Sequence, residues 1–134
     1  MKTSNEILTD IFKLIKSTPI DNLVGGIYKK VRPTDSELED CVISLVSGTN
    51  AKFLQDAALY VKLFFLDENQ DDTYYENNIR GSFLEYLMWD LSIALLNLNG
   101  YSFDVMSREI YIEAVEDIHQ RYVILKINFQ ITID

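Results

Sequence analysis

The sequence predicts an α+β fold: an antiparallel sheet with two helices, one N-terminal and one long and central, packed on one face, ending in a C-terminal β-hairpin. Three observations carry that prediction. Residues 7–15 repeat apolar side chains at helical spacing, and residues 79–98 do so again. From Tyr122 to Ile133 the pattern becomes alternating, with Val123, Leu125, Ile127, Phe129, Ile131 and Ile133 on one side. Tyr122, Lys126, Asn128, Gln130 and Thr132 fall on the other, where Ile124 is the one apolar exception. A period of two over that length means a strand with one buried and one wet face.

Each element has its own local signals. Thr3-Ser4-Asn5-Glu6 has the form of a capping box, with Thr3 as N-cap and Glu6 reaching back. Ile7, Leu8, Ile11, Phe12, Leu14 and Ile15 then form the apolar stripe of a first helix, opposite Thr9, Asp10, Lys13 and Lys16. Ser17-Thr18-Pro19 ends it, because the residue before a proline avoids helical geometry. Gly25-Gly26 is a turn, leading to a short strand over residues 27–31 and a loop, Arg32-Pro33-Thr34-Asp35-Ser36, of turn-favouring residues. A second strand covers 41–46, apolar and β-branched, and ends at Ser47-Gly48. A third runs over 57–66 with Leu59, Val61, Leu63 and Phe65 on one face.

Residues 67–75 are acidic and polar and predict an exposed loop. The central helix is expected over 77–98, about 33 Å long at 1.5 Å per residue. Its core stripe is read as Ile79, Phe83, Tyr86, Leu87, Leu91, Ala94, Leu95 and Leu98. Asn99-Gly100 tolerates the left-handed geometry of a helix stop. Residues 109–115 and 122–133 then pair as a hairpin around residues 116–120. No internal repeat or linker interrupts this order, so residues 1–134 form a single domain.

Composition limits the classes of function. With 48% hydrophobic and 12% aromatic residues, a chain of 134 can bury a core without staples. One cysteine, Cys41, excludes an internal disulfide and a cysteine zinc cluster. No apolar run reaches the roughly 20 residues of a membrane span, and residues 1–6 lack the apolar centre of a signal peptide. The expectation is a chain that is intracellular at least where it is made. A net charge of −9 opposes direct binding to nucleic acid. The charge is uneven: residues 1–32 hold six bases and three acids (+3), the remainder six bases and eighteen acids (−12).

Catalytic signals are sparse. His119 sits at the hairpin turn, without an evident orienting partner or nucleophile. Cys41 opens an apolar strand, where a thiol is structural unless a cation or a helix N-terminus activates it. Gly25-Gly26 is too short to cradle a phosphate, and neither nucleotide-binding glycine motif occurs. Asp67, Asn69 and Asp71 have the alternate spacing that opens a calcium loop. The sixth position, however, is Asp72 instead of glycine, and the twelfth is Asn78 instead of glutamate. Glu39-Asp40 and Glu116-Asp117 are adjacent on strand ends and point to opposite faces, so neither is a dyad by itself. The expectation is therefore no enzyme, no cofactor and no metal. Trp89 lies off the core stripe, on the side of Asn78, Ser82 and Glu85; it suits either an interface anchor or a flank of the core.

Gly25-Gly26-Ile27-Tyr28-Lys29-Lys30-Val31-Arg32-Pro33, followed by Glu39-Asp40-Cys41-Val42-Ile43, resembles the front of small tail-completion proteins of tailed bacteriophages. The order of elements in that family, similar in fold to tail terminators and head–tail joining proteins, matches nearly the whole chain. The resemblance implies a structural subunit that forms a ring at the neck or tail end of a virion and contacts other neck or tail proteins. It implies no catalytic site and no membrane contact. The strong acidity and the extended segment 67–76 depart from the family pattern. A ring needs two different complementary patches, and two are expected here. One is basic, Lys29, Lys30 and Arg32 beside Tyr28; the other is acidic, Asp67, Glu68, Asp71 and Asp72. Trp89 is a further interface candidate. The competing reading is a non-catalytic binding module, such as an immunity or antitoxin-like partner, whose acidity would neutralise a basic toxin.

Overall fold

A computed structural model describes residues 2–47, 53–54 and 56–132. Gly48 and Ile133, expected as strand ends, lie outside the described residues. The order is β1 (Lys2–Thr3), α1 (Ser4–Lys16), a 3-10 turn (Pro19–Asn22), β2 (Ile27–Lys29), β3 (Cys41–Val46), β4 (Phe53–Leu54) and β5 (Asp56–Leu66). Then come β6 (Glu68–Gln70), β7 (Thr73–Tyr75), α2 (Asn78–Leu95), β8 (Tyr101–Val115) and β9 (Gln120–Ile131). The fold is α+β, with a five-stranded sheet in the order β2-β3-β5-β9-β8.

Thr3 caps the helix as expected: its hydroxyl accepts the Glu6 N–H at 3.2 Å and donates to the Glu6 carboxylate. Ile7, Leu8, Ile11 and Ile15 of α1 are buried against the sheet. Leu59, Val61, Leu63 and Phe65 alternate inward on β5, beside Val123, Leu125, Ile127 and Phe129 of β9. Helix α1 lies over the β2–β3 side, and α2 over β9 and β8. The fold thus has two chemically distinct ends, α1 with edge strand β2 and α2 with edge strand β8.

Four expectations need correction. The sheet is mixed, because β2 pairs with β3 in parallel. Hydrophobic alternation assigns faces, and direction comes from the connection, which here returns the chain to the same end. Asp40 anchors that return. It is fully buried; its Oδ2 accepts Arg32 Nε at 2.8 Å and Ser36 Oγ at 2.5 Å, while Oδ1 accepts the Gly26 N–H at 3.3 Å. Arg32 also donates to Gln120 Oε1 at 2.7 Å, and its guanidinium lies 4.0 Å from the Phe64 ring centroid. Second, residues 68–75 form an exposed two-stranded hairpin instead of a loop. Its turn residues Asp71 and Asp72 both have positive φ, the requirement of a tight hairpin turn. Third, β8 begins at Tyr101, eight residues before the expected start, and a bulge between Asp104 and Glu109 hid its alternation.

The fourth correction concerns the rotation of α2. Leu84, Leu87, Met88, Leu91 and Leu95 face the core, whereas Ile79, Phe83 and Tyr86 are exposed. The helix is apolar on nearly every side, so periodicity finds two stripes and cannot rank them.

Candidate assembly interface

The second α2 stripe is the main unexplained surface of the molecule. Ile79, Phe83, Tyr86, Trp89, Ile93 and Leu96 all lie open, led by Ile79 at 85% and Tyr86 at 73% exposed. Their spacing is regular. Ile79, Tyr86 and Ile93 recur every seven residues, and Ser82, Trp89 and Leu96 interleave three positions later. That is the seam pattern helices use to pack on one another. The six open residues are large apolar or aromatic side chains, each 42–85% exposed, and an exposed cluster of that kind marks a contact surface.

Beside this stripe, Ser82, Glu85, Tyr86, Trp89, Arg108 and Ile110 line an open groove of about 660 Å³ between α2 and β8. The Arg108 guanidinium lies 3.8 Å from the Trp89 ring centroid and donates to Ser92 Oγ at 3.2 Å. Trp89 is thus half-exposed and held in place, the condition of an interface anchor. Strand β8 forms the sheet edge under this groove, and Asp104, Glu109 and Glu113 are exposed along it.

The open face of the sheet is drier than the alternation suggested. Ile124 is only 2% exposed there, with Lys62 and Tyr111 opposite it on the neighbouring strands. Lys62 lies over the Tyr122 ring at 4.6 Å, and Lys126 lies 5.1 Å from both Tyr60 and Tyr111. The Tyr122 hydroxyl bonds to the Glu113 carboxylate, which with partial burial raises it to about 12. Lysine ammonium groups over tyrosine rings form a thin second layer, which accounts for the apolar exception in β9.

The other expected interface residues divide into committed and free. Tyr28 is half-buried on β2, and Lys29 donates to Thr9 Oγ1 at 2.6 Å, tying β2 to α1. Lys30 is exposed at φ 77°. Arg32 is bound to Asp40 and Gln120, and Asp67 to Arg121 Nε at 2.9 Å, so both serve the fold. Glu68, Asp71 and Asp72 are exposed on the β6–β7 hairpin, where Asn69 Oδ1 caps the Asp72 N–H at 3.1 Å. Among the described residues no group of three or more His, Cys, Asp or Glu is placed to hold a metal ion. His119 stacks on Tyr74 with ring centroids 3.6 Å apart. Cys41 is buried, and burial, reinforced by Asp40, raises its thiol to about 12.

Sequence reasoning picked out Trp89 but not the stripe around it, because Ile79, Phe83 and Tyr86 were assigned to the core and Ile93 and Leu96 to neither face. The available signal was a helix with apolar residues left over after one face had been filled. No protein-family model matches the chain, and a search of curated proteins gives no match.

Proposed function

We propose that this chain is a non-catalytic structural subunit that assembles with copies of itself into a ring, as a tail-completion, terminator or head–tail joining component of a phage or prophage virion. The observation that carries the reading is the exposed apolar stripe of α2, Ile79 to Leu96, with Trp89 anchored by Arg108. Such a patch on a free subunit favours burial against another protein, worth about 25 cal/mol per Å² before the costs of association. The segment from Gly25 to Ile43, which resembles the phage family, adds the particular kind of assembly. Other neck and tail proteins are then the further partners, and no cofactor, nucleic acid or membrane is required.

Light scattering on the purified protein, followed by electron microscopy, tests this. The expected result is a closed ring of several subunits that dissociates when Tyr86→Glu and Ile93→Glu are combined. A wild-type protein that stays monomeric at every concentration would overturn the reading.

A further inference from the structure

We infer that the ring contact is made head to tail between two different ends of the fold: the α2/β8 end of one copy docks on the α1/β2 end of the next. This rests on the self-assembly proposed above and names the surfaces that meet. The occupant of the α2 stripe is therefore a second copy of this chain.

Charge supports that choice. The α1/β2 end exposes Lys13, Lys16 and Lys30, with Lys29 half-buried beside them, against Glu6 and Asp21. The α2/β8 end carries Glu85, Asp90, Asp104, Glu109 and Glu113 against Arg108 and Arg80, the latter paired with Glu39. The basic and acidic surpluses thus sit at opposite edges of one sheet. Two copies meeting α2 to α2 would bring like charges together, while opposite ends attract and exclude that pairing. Apolar contact is present on both sides: the α2 stripe on one, and on the other Phe12, half-buried under Lys16 with the ammonium 5.5 Å from its ring centroid.

Backbone direction agrees. β2 is parallel to β3, and each later pair, β3–β5, β5–β9 and β9–β8, is antiparallel. The two edge strands therefore run in opposite directions. Copies related head to tail share one orientation, so β8 of one would lie antiparallel to β2 of the next. The unpaired edges then meet in the direction that hydrogen-bonds best. Unlike a two-fold contact, such an interface leaves each end available and closes when the rotation per copy divides a full turn.

A charge swap tests this. Lys16→Glu with Lys30→Glu should weaken assembly by about tenfold or more at low salt, and so should Glu85→Lys with Asp90→Lys. All four changes in one chain should restore the ring, because both ends of every contact are then reversed. These side chains are exposed or line the open groove; circular dichroism checks that each variant folds. Two weakened double variants whose combination stays dissociated would show that the ends do not meet each other. Unchanged mass for the Lys16 and Lys30 variant, with an intact wild-type ring, would overturn this contact and leave self-assembly standing. A wild-type monomer would overturn both.

Discussion

Removing the Asp40 carboxylate should be among the most damaging single changes away from the apolar core. In Asp40→Ala, Arg32 loses its ion-pair partner while its side chain remains only 13% exposed, and Ser36 Oγ and the Gly26 N–H lose their acceptors. Breaking a buried pair from one side costs about 3–5 kcal/mol, since the remaining charge stays largely out of water. At about 3–5 °C per kcal/mol for a domain of this size, Tm should fall by about 9–25 °C. Asp40→Asn keeps the shape and one acceptor oxygen but not the charge, and should lose about half as much. Chemical denaturation of wild type, D40A, D40N, R32M and the R32M/D40A pair gives the coupling directly. The two residues should couple strongly, the double variant being less damaged than the sum of the singles. A D40A protein within about 1 kcal/mol of wild type would refute the assignment of Asp40 as the anchor of the β2–β3 connection.

Gly25→Ala should lose about 1–3 kcal/mol in a denaturant melt, because the added Cβ would come 2.3 Å from the Glu39 carbonyl oxygen and 2.5 Å from Asp40 Oδ1. Burial opposes the charge on Asp10, yet hydrogen bonds from Lys2 and Tyr101 and the Lys2 charge hold its carboxyl below the ordinary 3.8. With the folded value below the unfolded one, its contribution is complete above about pH 5 and fades as pH falls through 3.8 and below. The Tm gap between wild type and Asp10→Asn should therefore narrow from pH 7 to pH 3; a widening gap would contradict the assignment. Cys41, with its thiol raised to about 12, should react with a disulfide reagent at pH 8 only on unfolding, and rapid labelling of the native protein would show its burial to be wrong.

Local rules made much of this fold legible. The Thr3 cap, the α1 stripe and the inward alternation of β5 and β9 follow from residues a few positions apart. What escaped depends on distant partners. The parallel pairing of β2 is set by Asp40 gathering Arg32, Ser36 and Gly26, and no periodicity encodes that. The first half of β8 mixes polar and apolar residues around a bulge, and the Glu68–Gln70 and Thr73–Tyr75 strands are exposed on every residue, so neither leaves a hydrophobic signature. Of the expected interface residues, Arg32 and Asp67 had the right charge for recognition, but the fold uses both internally. Charge alone does not separate an ion pair within a chain from one between chains.

The rotation of α2 links the missed packing to the proposed function. A glycine inside a helix costs about 1 kcal/mol in propensity, so Gly81 marks a place where something must come close. A Cβ there would lie 3.1 Å from Ile112 Cδ1 and 3.3 Å from Phe65 Cζ, which makes Gly81 the point where the helix settles on the sheet. Leu84, Met88, Leu91 and Leu95 continue that same face, and Ser92, also small and fully buried, lies on it. Turning the helix to bury Ile79 and Tyr86 would withdraw Gly81 and press larger side chains against Phe65. The glycine therefore selects the inner stripe. The outer stripe, seven-residue in period, is left uncovered among the described residues. Two competing faces on one helix are a liability for a solitary domain; under the self-assembly proposed above, the second face would be the one a neighbouring copy covers.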